Sequence, residues 1–226
     1  MAPQTQREWH PAFEEYCEAI FELREDDVAV IQARIAERLD VSRPAVSEMI
    51  KRMEKSGIVT IDSGTIRLTV DGLTLAETVV RRHRLAERFL TDMLGLSWAD
   101  AHVEAGRWEH VISPTVEAAM TRALGDPTTC PHGNPIPGTD YNAPDTVSLD
   151  QLLVGAEFVV SRIPEELEFT PGLLQFLEHS SLLPGHKGTV TATSGPAGAD
   201  GTTVEIDGQL VEIDEFASTR ILVSAI

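Results

Sequence analysis

The sequence predicts a mainly α protein with a small β component: an N-terminal winged helix-turn-helix, a run of helices, and a small antiparallel barrel at the C-terminal end. Three observations carry this. Apolar residues recur with a helical period from Phe13 to Met53, broken by one tight turn at Asp40-Val41-Ser42. Two short stretches, Val59–Asp62 and Ile66–Leu68, flank a Ser63-Gly64 turn. Beyond a segment rich in Pro, Gly and Asn, alternating stretches replace the helical period.

Phe13, Tyr16, Cys17, Ile20, Phe21 and Leu23 place one apolar stripe on a first helix, with Glu15, Glu18 and Glu22 on its other side. Ile31, Ile35, Ala36 and Leu39 mark a short second helix. Val46, Met49, Ile50 and Met53 mark a third, capped by Ser42, with Pro44 in its first turn and Gly57 as its stop. The hairpin that follows reads as the wing. Thr69 caps a long helix reaching about Leu94, Ser97 and Asp100 form a capping box for the next through about Val111, and Ser113-Pro114 opens another that ends at Gly125. The segment from Asp126 to Pro144, DPTTCPHGNPIPGTDYNAP, reads as a tether and a domain boundary. Phe158–Ile163, Gly188–Thr193, Val204–Ile206 and Arg220–Val223 are the expected barrel strands, with a single helix at Leu173–Leu177.

The net charge of −18 is unusual for a DNA-binding chain, but it is unevenly spread. Residues 141–226 hold three Lys/Arg against thirteen Asp/Glu, whereas Arg43, Lys51, Arg52 and Lys55 cluster around the third helix. A local basic face therefore coexists with an acidic whole. Two cysteines, Cys17 and Cys130, give no disulfide framework. Charged residues near the N-terminus exclude a signal peptide and no stretch is long enough to span a bilayer, so a cytoplasmic protein with no membrane partner is expected.

A helix-turn-helix offers the start of its second helix to the major groove, so Ser42, Arg43, Pro44, Ala45, Ser47, Glu48, Lys51 and Arg52 are the candidate DNA-binding residues. A second concentration of chemistry is metal-like. His83 and Glu87 are four residues apart on one helical face, and His102, Glu109 and His110 share a stripe of the next helix. Cys130 and His132 make a weak zinc signal, because no second ligand pair lies nearby in the sequence, and a loop motif is the expected role. Cys17 is expected in the core.

The runs ARIAERLDVSRPAVSEMIKRMEKSGIV, RRHRLAERFL, RWEHVIS and DPTTCPHGNPIPG closely resemble the diphtheria-toxin-repressor and iron-dependent regulator family, with features of its manganese-transport-regulator branch. The resemblance implies a winged-helix domain over residues 1–72, a helical metal-binding and dimerisation domain over 73–140 that ends in the Pro-rich tether, and an SH3-like (FeoA-type) barrel over 146–226. It implies a homodimer that binds double-stranded operator DNA when loaded with Mn²⁺ or Fe²⁺ and controls metal homeostasis genes. Two metal sites per subunit follow by the same resemblance. His83, Glu87 and His102 carry over as an ancillary site, joined by Glu165 and Glu168 from the barrel. Glu109 and His110, with Glu15 and Glu18 from the first helix, carry over as the primary site. Glu15 stands where iron-responsive members have Met, which leans toward Mn²⁺ because oxygen donors suit that ion. Gly106 stands where the family has a ligating side chain and supplies none itself, so either Glu18 and water complete the primary site, the Gly106 backbone carbonyl contributes, or the site is weakened. The alternatives are a DNA-binding regulator without metal control and, further off, a metallohydrolase; the chain has no HExxH motif and no nucleophile-base pair.

Overall fold

The computed structural model describes residues 11–193 and 201–226. The remaining residues, 1–10 of the expected DNA-binding domain and 194–200 within the expected barrel, lie outside the described set. The chain divides after Arg81 into two compact units.

In the first unit, α1 (Pro11–Glu25), α2 (Gln32–Arg38) and α3 (Arg43–Lys55) are followed by the hairpin β1 (Val59–Asp62) and β2 (Thr65–Leu68). Ser42 Oγ accepts from the Ala45 N–H, and Pro44 occupies the first turn of α3, as the sequence predicts. Cys17, Ile20, Ile35, Val46, Ile50 and Met53 bury the faces of the three helices against one another. Ile66 of the wing joins that core, and its N–H is accepted by the Val30 carbonyl. The helix α4 (Val70–Asp92) opens where Thr69 Oγ1 accepts from the Gly72 N–H. Gly72 is required here, since a Cβ would stand 2.1 Å from the Ile58 carbonyl oxygen. α4 therefore leaves directly from the base of the wing.

The second unit begins within α4 and adds α5 (Trp98–Trp108) and α6 (Pro114–Ala123), capped by Ser97 and Ser113. α5 stops at Trp108, three residues before the expected end, so Glu109 sits at its C-cap and His110 beyond it. A six-stranded antiparallel sheet follows, ordered β3-β8-β4-β5-β6-β7. Its strands are β3 (Val147–Ser148), β4 (Glu157–Arg162), β5 (Lys187–Thr193), β6 (Gly201–Ile206), β7 (Gln209–Asp214) and β8 (Leu222–Ala225). Between β4 and β5 lie α7 (Glu165–Glu168) and α8 (Leu173–His179), and α9 (Glu215–Ser218) precedes β8. Phe158, Val160, Val190, Val204 and Val223 fill the inner side of the sheet.

The segment expected as a tether is packed instead. Cys130, His132, Asn134 and Ile136 are buried, and the Ile163 N–H is accepted by the His132 carbonyl. Pro131 sets the second position of a turn closed by the Gly133 N–H on the Cys130 carbonyl. Gly133 has φ +87°, and a Cβ there would stand 2.3 Å from the Ser161 carbonyl oxygen. Prolines and glycines that look like linker chemistry here build a tight turn pressed against β4.

Candidate metal centre and nucleic-acid interface

On α3, alternation by helical period buries Val46, Ile50 and Met53 and leaves the opposite face open. Ser42, Arg43, Pro44, Ala45, Glu48, Lys51 and Arg52 are exposed, and Ser47 is half-buried. The Arg52 guanidinium lies over the Phe13 ring, 5.9 Å from its centroid. In the wing, Arg67 is exposed as well, a cation that the helix-centred sequence reading omits.

In the second unit the expected ancillary residues converge. α4 supplies His83 and Glu87, one turn apart; α5 supplies His102; α7 supplies Glu165 and Glu168. His83 Nε2 is 3.2 Å from Glu87 Oε1 and 3.4 Å from His102 Nδ1. His102 Nδ1 is 3.0 Å from Glu87 Oε1 and 3.1 Å from Glu168 Oε2. A cation with bonds of about 2.1 Å places neighbouring donors roughly 3.0 Å apart at a right angle and roughly 3.4 Å apart at a tetrahedral one. The observed spacings span that interval. Glu165 binds Arg84 through one oxygen, which accepts from Nε and Nη2 at 3.0 and 2.9 Å, while a donor atom of Glu165 lies within 4.8 Å of those of His102 and Glu168.

Cys130 and His132 correct the sequence reading: they are not a detached loop motif. The turn at residues 130–133 brings both against Glu87, with one donor atom from each of the three within 4.8 Å of the others. His132 Nδ1 is 3.0 Å from Glu168 Oε1 and 3.7 Å from Glu87 Oε2. The signal for this role was the Cys-Pro-His-Gly order, in which Pro and Gly set a turn that holds Cys130 and His132 together.

The electrostatics of the cluster are those of buried groups in mutual balance. Burial alone would lower His83, but Glu87 and Glu109 overcome it and hold the imidazole well above its ordinary value. His102 follows the same pattern: burial opposes the charge, Glu168 and Glu87 favour it, and it is raised to about 10. His132 is likewise held well above the usual range, by Glu168 and Glu87 against burial. Burial would raise Glu87, yet His132, His83 and His102 bring it well below the carboxylate range. Both ring nitrogens of His132, Glu87 Oε2 and Glu168 Oε2 are buried and make no hydrogen bond. Close approach without hydrogen-bond geometry is what metal donors show when their lone pairs converge on one point. The residues fit a divalent cation.

Of the expected primary-site residues, Glu109 is buried and His110 half-buried at the end of α5, with His110 Nε2 3.2 Å from Glu109 Oε1. Glu15 and Glu18 lie on α1 in the first unit, Glu15 exposed and Glu18 buried. Nothing stands within 4 Å of where a Gly106 Cβ would project. Cys17 is fully buried in the core, and burial, with Glu14 nearby, pushes its thiol up to about 12.

Residues 10–63 match the N-terminal DNA-binding domain of iron-dependent repressors, and residues 69–138 match their metal-binding and dimerisation domain. The iron-dependent repressor IdeR of Mycobacterium tuberculosis is 40% identical over 207 residues, covering 86% of this chain and 88% of that protein. The diphtheria toxin repressor of Corynebacterium diphtheriae is 49% identical over 128 residues, 56% of this chain and 57% of its own. Among solved structures, a manganese-dependent transcriptional repressor in complex with manganese superposes with a TM-score of 0.82 at 31% identity, covering 95% of this chain and all of the other. These relatives are repressors, which sets the metallohydrolase alternative aside. With a winged helix, a helical domain carrying the His/Glu cluster and a six-stranded C-terminal sheet, the chain belongs to the iron-dependent repressor family of metal-dependent transcriptional regulators.

Proposed function

We propose that this chain is a homodimeric repressor that binds operator DNA when loaded with Mn²⁺ or Fe²⁺ and so governs metal homeostasis genes from the cytoplasm. The three expected divisions, 1–72, 73–140 and 146–226, serve as DNA reader, metal-binding dimerisation core and clamp. The observation that carries the reading is the set of buried Glu87, His132 and Glu168 atoms that converge without hydrogen bonds. A divalent ion supplies positive charge that offsets the carboxylates and ties together the chain segments bearing its ligands.

The chain's own residues do the rest. His83, Glu87 and His102 hold the ancillary ion, with Glu165 and Glu168 joining α7 to α4 and α5. By the family resemblance, Glu109 and His110 are the expected primary-site residues of the second unit, and Glu15 and Glu18 the expected carboxylates of the first. Oxygen donors from Glu15, Glu18 and Glu109 suit Mn²⁺, and Fe²⁺ is chemically close. On DNA, Ser42, Arg43, Pro44, Ala45, Ser47 and Glu48 face base edges, while Lys51 and Arg52 hold phosphates. The dimer form follows from the match of residues 69–138 to a dimerisation domain.

Operator-binding titrations with Mn²⁺ and with Fe²⁺ under anaerobic conditions test the reading. Binding that appears on metal addition and is reversed by a chelator is the expected result. Equal binding with and without metal would overturn it in favour of a metal-independent regulator.

A further inference from the structure

In the first unit, the end of α1, the extended residues 28–30 and the outer edge of β2 border a groove of about 650 Å³. The Val30 carbonyl accepts from the Ile66 N–H at 2.9 Å, which holds residues 28–30 alongside β2 and fixes that wall. The lining is largely apolar. Ile20 is buried in the core of the unit, while Val28 and Leu68 pack against that core and keep part of their surface open.

Two cations complete the groove. Arg24 stands in the last turn of α1 and Arg67 on β2, so they belong to different walls. Both are exposed, and among the described residues neither side chain makes an ion pair or a hydrogen bond. Asp27 is the one carboxylate on the described lining, and two arginines against one aspartate leave a net charge of +1. The chain as a whole carries −18, so this local sign runs against its composition.

We propose that this groove binds a small monocarboxylate with an apolar body, its carboxylate held by Arg24 and Arg67 and its hydrocarbon part laid over Ile20, Val28 and Leu68. The volume falls within the range of small-molecule sites, about 300–1,000 Å³, in which an apolar lining carries a few polar groups that fix orientation. A guanidinium meets a carboxylate through charge-assisted hydrogen bonds in matching planes. An inorganic anion or a DNA phosphate would use the two cations and leave the apolar lining uncovered. A neutral hydrocarbon would do the reverse. Only an anion with an apolar body uses both features, and the net charge of the lining matches one carboxylate.

Such a ligand acts on the DNA-reading unit. β2 is a strand of the wing and Arg67 is its exposed cation, so the carboxylate and an operator phosphate draw on the same guanidinium. Ligand therefore weakens operator binding, and by linkage the operator weakens ligand binding by the same factor. This consequence rests on the repressor reading above; binding of the carboxylate does not.

Calorimetric titration of the full-length chain without DNA, using decanoate, decanol and inorganic phosphate, tests the site. One decanoate should bind per chain, decanol about tenfold more weakly for want of the charge-assisted bonds, and phosphate not measurably. Arg24→Gln combined with Arg67→Gln should reduce decanoate to the level of decanol. Thr65→Trp, at an exposed lining position on a strand that tolerates an aromatic side chain, should block both while the thermal midpoint is kept. Absence of saturable decanoate binding, or binding that the arginine substitutions leave unchanged, would overturn the proposal. With Mn²⁺ and operator present, decanoate should weaken DNA binding by the parent and not by the double arginine variant. Decanoate that binds one per chain without altering operator affinity would strike the regulatory consequence. Loss of all metal-dependent operator binding, with decanoate still bound one per chain, would strike the repressor reading alone.

Discussion

His83 Nδ1 lies 2.5 Å from Glu109 Oε2 while its Nε2 faces Glu87, so one buried imidazole joins the two sets of residues expected to form separate metal sites. In the metal-free chain this imidazolium neutralises parts of both. Replacing it with Leu leaves two buried carboxylates short of a counter-charge, a loss of about 3 kcal/mol for a broken buried pair. His83→Leu should therefore lower the thermal midpoint of the metal-free chain and reduce metal affinity at both places, measured by calorimetry with and without Mn²⁺. Loss at the ancillary residues with unchanged affinity at Glu109 and His110 would show that the link carries no coupling.

Metal binding should release protons. His83, His102 and His132 are raised above their ordinary 6.5, His102 to about 10, and an imidazole must be neutral at the nitrogen that binds a cation. Affinity for Mn²⁺ should thus rise steadily with pH across the neutral range. Stability of the metal-free chain runs the other way. The raised imidazoles contribute fully below about 6.5 and lose that contribution as pH climbs through their folded values; Glu87 and Glu168, lowered from 4.5, contribute above that value and lose it as pH falls. The metal-free cluster is then most stable between about 4.5 and 6.5, and the gain in melting temperature from Mn²⁺ should grow above that window. A gain independent of pH would count against displacement of protons from these histidines.

Gly106 should accept a side chain. Open space surrounds its Cβ direction, and an interior helical glycine costs up to about 1 kcal/mol relative to alanine. Gly106→Ala should raise the melting temperature slightly. Gly106→Glu should in addition lower the Mn²⁺ concentration needed for operator binding, by adding a carboxylate beside Glu109 and His110. An unchanged metal requirement would remove Gly106 as the weak point of the primary site.

Arg43 and Arg52 stand on the open face of α3. If Arg43 reads a base edge, Arg43→Ala should weaken operator binding by about 1–3 kcal/mol and relax sequence preference. Arg52→Ala should weaken binding to every sequence alike and make the slope of log affinity against log salt shallower by about one. Operator titrations at several salt concentrations measure both effects.

Arg84 is fully buried and holds Glu165 Oε1 through Nε and Nη2. Arg84→Met keeps most of the volume and strands the carboxylate, which should destabilise the second unit by roughly 3–5 kcal/mol. Adding Glu165→Gln should recover part of that loss in thermal unfolding. No recovery would mean that Arg84 acts chiefly through its other contacts, among them the Pro135 carbonyl.

The order of elements, the caps at Ser42, Thr69, Ser97 and Ser113, and the helical stop at Gly57 are local matters, and the sequence alone determined them: side-chain oxygens meet free N–H groups within three residues, and apolar periods mark the buried face. The pairs His83–Glu87 and Glu165–Glu168 were legible for the same reason, since one helical turn sets their spacing. Only the tertiary structure decided that residues 130–133 form a packed turn rather than a tether, because Pro and Gly have the same signature in both and the difference lies in contacts with β4, remote in sequence. It likewise decided that Cys130 and His132 meet Glu87 and Glu168. Four donors from three separated segments converge there, and no periodicity encodes a distance between segments that only packing brings together.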